Sequence, residues 1–316
     1  MNRFFLLLIL PCLLFATDYD CVIVGTSPVS LLEALYQSAD GKKVLILEKD
    51  AQCGGAWRSI DACGVAHVDM GCHHIGCSRE VADFLKGLGC KIVSLSEPGM
   101  EYNPSNAPLG LYFSQGCYEL ISVLEKKIQN SSIELRVNCR LDNISFKDGW
   151  ALIQSSSRQL DRAKRIYYTN ASYFSINGNW VAARGTKYYH LYLLIADAGP
   201  VRCSYRGGFS KVSRLMNVTS FSGLTASGLQ LFVLQVYSED DLKKSAVFME
   251  SLKSSDLISK SARLIREEPY IYEQNYCTGH TTSLTPEQKA FFEHLDTSQL
   301  GNSIQRHLER WKSLMK

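Results

Sequence analysis

The chain has almost no net charge. Its 316 residues carry 34 Lys and Arg against 31 Asp and Glu, a net charge of +3. No basic run and no aromatic stacking platform stands out, so no nucleic-acid partner is expected. A membrane-length apolar run is missing too. The longest covers thirteen residues, Phe4 to Ala16, short of the roughly 20 that a spanning helix needs. Preceded by Asn2-Arg3 and ending in Leu14-Phe15-Ala16, it has the form of a secretory signal removed before Thr17. An uncleaved anchor is the alternative. There is no twin-arginine signal, so the expected route is Sec-type export to a periplasm, a lumen or the outside. With residues 1–16 removed, no stable membrane span is expected.

Metal-ligand spacing is a third absence. Cys63, His67, Cys72, His73, His74 and Cys77 crowd into fifteen residues. Their C-x(8)-C-x(4)-C spacing fits no common zinc pattern, and no metal is expected. Cysteine itself is plentiful, at eleven. Loss of Cys12 with the signal leaves ten, an even number that fits disulfides in an exported protein, Cys72–Cys77 among the candidates. Cys21 reads instead as a small buried apolar side chain. Four N-x-S/T sequons, at Asn130, Asn143, Asn170 and Asn217, matter only in a eukaryotic lumen.

What is present concentrates between Asp20 and Ser59. Cys21-Val22-Ile23-Val24 is a short apolar run stopped by Gly25, the pattern of a buried parallel strand. Pro28 suits the first position of a helix, and Leu31, Leu32, Leu35 and Tyr36 recur at helical spacing through Ser38. Asp40-Gly41 makes the exit turn. Val44 to Leu47 is a second buried strand, ending on Glu48. This is a βαβ unit with a carboxylate 23 residues after its first glycine, where an acid accepts ribose hydroxyls and disfavours a 2′-phosphate. The free N–H groups and dipole of the helix start hold a pyrophosphate. The glycine fingerprint G-x-G-x-x-G is incomplete, because Gly25-Thr26-Ser27-Pro28-Val29-Ser30 puts serine at its second and third positions. Ser30 still permits close helix–strand packing. Ser27 carries a Cβ where the backbone approaches the pyrophosphate.

After Glu48 and Lys49 come Cys53-Gly54-Gly55-Ala56-Trp57-Arg58-Ser59, then Gly64, then Asp69-Met70-Gly71-Cys72-His73. Glu-x(5)-Gly-Gly, a serine, then Gly-x(4)-Asp-x-Gly-x-His resembles the GR2-type flavoproteins. That group holds flavin amine oxidases, protoporphyrinogen oxidase, phytoene desaturases, UDP-galactopyranose mutase and, more distantly, the Rab GDP-dissociation inhibitors. The resemblance implies FAD as cofactor. It implies Gly25, Ser27 and Ser30 at the pyrophosphate and Glu48 and Lys49 at the ribose. Gly54, Gly55, Ala56, Trp57 and Arg58 would lie along the phosphates and ribityl chain, with Asp69, Gly71 and His73 beside the flavin. By the same resemblance, a residue near Val137 packs on the adenine or ribose side.

The rest of the chain fits a two-lobed α/β protein. The expected fold is a Rossmann-like FAD/NAD(P)-binding domain (17–78 and 115–171) interleaved with an α+β substrate lobe built on an antiparallel sheet (79–114 and 172–284). C-terminal helices are expected over 285–316, one capped by Thr297 with Leu300, Ile304, Leu308 and Trp311 on one face. Helices are also expected over 80–88, 115–128 and 240–253. Tyr188 to Ile195 and Leu229 to Tyr237 read as long strands of the sheet, with a weaker one between them. Tyr188, Tyr189, His190, Tyr192 and Tyr205 are candidate pocket residues, and Arg184, Arg202 and Arg206 candidate anion holders, against the plainer readings of core packing and solvated loops. The family's last segment is a strand, Gly-Asp and a glycine-rich helix start facing the flavin. It has no counterpart in the sequence after Tyr276.

Two functions follow from this, and a third variant. One is FAD-dependent oxidation of a small-molecule substrate, with no catalytic side chain nameable. Another is a non-catalytic binding scaffold on the same fold, as in the GDP-dissociation inhibitors. The variant keeps FAD without net redox chemistry, as in the sugar mutases.

Overall fold

The computed structural model describes residues 17–71, 75–76, 78–94, 110–157, 159–200, 205–207, 211–222, 224, 227–297 and 299–315. The expected signal, residues 1–16, lies outside these.

The expected βαβ unit forms. Strand β1 (Thr17–Val24) leads into helix α1 (Pro28–Ala39) and strand β2 (Val44–Leu47). All four β2 side chains are buried, as a strand covered on both faces requires. β1 begins four residues before Cys21 because its polar start pairs with the parallel strand Leu160–Tyr168, Thr17 opposite Asp161 and Tyr19 opposite Ala163. Such pairing leaves no apolar signature. The parallel order across the sheet is Glu134–Arg136, β2, β1, Leu160–Tyr168 and Phe292–His294. The hairpin Leu141–Lys147 and Trp150–Ser155 extends it antiparallel to Leu160–Tyr168. Short strands Ser175–Ile176 and Asn179–Trp180 close that edge. These two and Phe292–His294 thus join the nucleotide sheet, although the sequence assigns 172–284 to the other lobe and only helices to 285–316.

One face of this sheet packs α1, Cys117–Gln129 and Leu300–Trp311 into an apolar core that includes Ile23, Leu32, Leu120, Ile304 and Trp311. Leu300, Ile304, Leu308 and Trp311 are buried together, as their spacing requires. The cap of that helix is Gln299 rather than Thr297. Glu33 of α1 is fully buried (0 % exposed) and accepts hydrogen bonds from Gln37 and Arg310 (2.7 Å) and from the Trp311 indole (3.3 Å). This ion pair latches α1 to the C-terminal helix.

The second sheet is antiparallel, in the order Tyr205–Gly207, Val212–Asn217, Leu229–Val236, Ala182–Ala196, Arg263–Thr278. Alternation along Ala182–Ala196 sends Leu191, Leu193 and Ile195 to the face covered by the helix Ser245–Ser254. Tyr188, His190 and Tyr192 take the other face. Arg263–Thr278 escapes the sequence reading. It is an edge strand with Pro269 and seven charged or amide side chains, so it has no apolar run to mark it.

Seven cysteines are described: Cys21, Cys53, Cys63, Cys90, Cys117, Cys139 and Cys277. All are free and buried, which corrects the expected disulfide framework for these positions. All but Cys117 are spread through separate apolar clusters as packing groups. Burial pushes the thiols of Cys21, Cys53 and Cys90 up to about 12 and those of Cys63 and Cys277 to about 11. Cys72 and Cys77 lie outside the described residues. Asn217 is 2 % exposed and donates to Gln230, so this sequon cannot carry a glycan in the folded chain. Among the described residues, no helix is long and apolar enough to cross a membrane.

Candidate nucleotide and substrate cavity

A cavity of about 370 Å³ opens where β1, β2, Leu160–Tyr168 and Phe292–His294 end. That volume falls in the range of roughly 300–1,000 Å³ usual for ligand sites. Each strand supplies a residue at or just past its C-terminal end: Gly25, Glu48, Thr169 and Thr297. β1 has β2 on one side and Leu160–Tyr168 on the other, so the chain reverses direction across the sheet here. Ligands of open parallel sheets bind in the crevice at such a switch point.

Thr26 ties the first turn together, a role that no motif position marks. Its N–H (3.0 Å) and hydroxyl both donate to Glu48 Oε2. Its Oγ1 accepts from the Gly54 N–H at 3.0 Å, and its carbonyl from the same group at 3.1 Å. Glu48, 3 % exposed, also takes the Asp50 N–H on Oε1 at 2.9 Å. Three donors thus occupy a carboxylate with about four acceptor positions, leaving room for one more from the cavity. Gly54 must be glycine: its φ is +110°, and a Cβ would come within 3.1 Å of the Arg58 nitrogen. Gly25 (φ +91°) and Gly55 (φ +56°) line the cavity, and a Cβ on either would project into open space.

The start of α1 is partly occupied. Ser27 is its N-cap, and the hydroxyl accepts the Ser30 N–H at 3.2 Å. Pro28 has no N–H to offer. Ser27→Gly removes the competing hydroxyl and the Cβ, so it should tighten adenine-dinucleotide binding severalfold in a fluorescence titration with FAD. Unchanged affinity would place the pyrophosphate elsewhere.

Of the residues singled out in the sequence, Gly25, Ser27, Ser30, Glu48, Lys49, Gly55, Ala56, Trp57 and Gly71 line this one cavity. Gly54 sits behind its wall. Arg58 is not in the lining but pairs at 3.1 Å with Asp50, which is. Val137 is 40 % exposed and stands off the cavity; Arg140 and Leu141 occupy that part of the wall, held there because Cys139 N–H donates to the Glu48 carbonyl. His73 lies outside the described residues. Tyr188 and His190 reach the cavity from the antiparallel sheet, joined by Arg214, Gln235, Tyr272, Gln274 and Tyr276. Tyr192 instead donates to the Asp69 carbonyl at 2.9 Å, Tyr189 packs on the opposite face, and Arg184 is exposed.

Asp69 is not on the cavity. It is 2 % exposed, and its Oδ1 accepts the Cys117 N–H (2.8 Å) at the start of a helix. Gly116 makes room, since a Cβ there would meet Oδ1 at 2.8 Å. The other oxygen, Oδ2, has no partner among the described residues. Burial raises this carboxyl from its ordinary value to about 7. The folded protein therefore holds a proton that the unfolded chain releases near pH 4. Stability from this group is present below pH 4 and is lost as pH rises toward 7, by up to about 1.4 kcal/mol per unit. Asp69→Asn should remove that slope from denaturation midpoints measured between about pH 4 and 7; an unchanged slope would mean that Asp69 is ionised throughout.

Residues 23–88 match the model of the NAD(P)-binding Rossmann-like domain. No curated protein matches the sequence. Among solved structures, putrescine oxidase bound to putrescine is similar at a TM-score of 0.67 and 11% identity, over 95% of this chain and 99% of that one. A candidate protoporphyrinogen oxidase from Exiguobacterium sp. 255-15 is similar at 0.60 and 11%, over 95% and 98%. The p-nitrophenol 4-monooxygenase PnpA from Pseudomonas putida DLL-E4 is similar at 0.57 and 15%, over 95% and 81%. Residues 23–88 thus match a Rossmann-like NAD(P)-binding model, and the chain shares its overall fold with putrescine oxidase and the candidate protoporphyrinogen oxidase.

Proposed function

We propose that this chain binds FAD and oxidises a small molecule. One observation carries the reading: a single cavity is walled on one side by the nucleotide unit and on the other by an aromatic and polar sheet face. A dinucleotide and a second, smaller ligand would share that space. The residues fit the cofactor, since Gly25 and Gly55 leave open backbone facing the cavity and Glu48 keeps an acceptor for a ribose hydroxyl. When bound, a flavin would supply the hydride-accepting chemistry. The protein's part is position and exclusion of water. Gly25, Ser27 and the start of α1 would face the pyrophosphate, Glu48 the ribose, and Gly55 to Trp57 the ribityl side. Tyr188, His190 and Tyr272 would close the opposite side, and Thr297 the C-terminal one.

The Ser27 hydroxyl on the Ser30 N–H favours a second reading, a scaffold that keeps the fold and binds a partner without flavin. Titration with FAD and with NAD, followed by quenching of intrinsic fluorescence, separates the two. The first reading expects saturable FAD binding that survives gel filtration. No binding of either nucleotide would leave the scaffold. Export through residues 1–16 is part of the same proposal, and N-terminal sequencing of the mature protein tests it.

A further inference from the structure

The sheet side of the cavity carries a charge that the nucleotide does not account for. Arg214, Gln235 and His190 stand opposite one another on three neighbouring strands and form one polar row facing the cavity. Arg214 is exposed, and it has no hydrogen bond or ion pair among the described residues. The other cations of the lining are already matched: Lys49 pairs with Asp50 at 3.5 Å, and Arg140 with Asp142 at 2.7 Å. The acids of the lining, Glu48 and Asp50, sit at the nucleotide end with donors of their own. Among the described residues, no carboxylate of the sheet lines the cavity.

Beside this charge stands a stack of rings, Tyr188 on Tyr272 and Tyr272 on His190. Tyr188 stacks on Tyr272 with ring centroids 4.9 Å apart, and the Tyr188 and Tyr276 hydroxyls meet at 2.5 Å. A guanidinium without a carboxylate of its own, set against stacked rings, is suited to a flat body bearing an anionic group. We propose that the substrate is an anion, its carboxylate held by Arg214 and its planar body set against the Tyr188 side of the ring stack. This rests on the reading of the sheet face as the substrate side of the cavity.

Three probes of one shape and different charge test it: benzoate, benzamide and benzylamine. Each is titrated calorimetrically into the purified protein, with and without saturating FAD. Benzoate should bind about tenfold or more tighter than benzamide, and benzylamine weakest. Arg214→Gln should erase the preference and Arg214→Lys retain part of it, both with wild-type melting temperatures because the side chain is exposed. Tightest binding of benzylamine, an undiminished preference in Arg214→Gln, or no binding of any probe would overturn the proposal. The arm without FAD keeps the two claims apart. Benzoate preference in a protein that takes no FAD would sustain the anion site and sink the flavin reading.

Discussion

Glu48→Ala is expected to weaken the proposed FAD binding and to soften the fold together. The ribose hydroxyl that Glu48 would accept is a hydrogen bond to a charged group, worth roughly 1.5–3 kcal/mol, so FAD affinity should fall on the order of 10- to 150-fold. The same carboxylate holds the Thr26 N–H, the Thr26 hydroxyl and the Asp50 N–H in a nearly sealed site. Removing it orphans two backbone donors, at about 1–3 kcal/mol each where water cannot replace it. Because Thr26 also carries Gly54, the double-glycine loop loses its anchor. Equilibrium dialysis against FAD and a thermal melt read the two effects separately. Equal FAD retention in wild type and variant would remove Glu48 from the site, even if the variant melts early.

Glu33→Ala will cost more in stability than any surface change. Its carboxylate is fully buried and takes hydrogen bonds from Gln37, Arg310 and the Trp311 indole. Breaking a buried pair by removing one partner costs about 3–5 kcal/mol. Arg310 is a third exposed and can swing into water, which brings the expectation to about 3 kcal/mol. That corresponds to a fall in Tm of roughly 5–10 °C. The helices that Glu33 joins start next to the cavity, at Ser27 and just after Thr297. FAD affinity should therefore weaken as well, although Glu33 itself sits in the middle of α1 and does not line the cavity. A variant that melts within about a degree of wild type would show that apolar packing alone holds the two helices.

The sequence was most readable where burial and backbone geometry coincide. β1, α1 and β2 carried apolar runs and a proline at the helix start, and these elements form where they were expected. Phe292–His294 was not readable, because a strand of three residues with a glutamate and a histidine has no pattern of its own. It exists because Leu160–Tyr168 offers an open parallel edge. With Asp296 and the helix Leu300–Trp311 it supplies a strand, an acid and a helix after Tyr276, without the Gly-Asp pair sought there. Arg263–Thr278 failed for a related reason. An edge strand needs apolar residues only where it meets a core, and here Tyr272, Gln274 and Tyr276 face a cavity instead. Arg58 and Asp69 show the limit of motif reading. Both occupy motif positions, yet one closes an ion pair with Asp50 and the other caps a helix. Thr26 and Arg214 could be found only from the fold, since one acts through Glu48 and Gly54 and the other through its place in a cross-strand row.

The central claim is that the cavity at the strand ends holds FAD. The most direct measurement is the visible spectrum of the protein purified without added cofactor, and again after incubation with FAD and gel filtration. The account predicts oxidised-flavin bands that travel with the protein in at least the second sample and are diminished in Glu48→Ala. A protein that emerges colourless from both would contradict it and move the weight to a flavin-free binding scaffold.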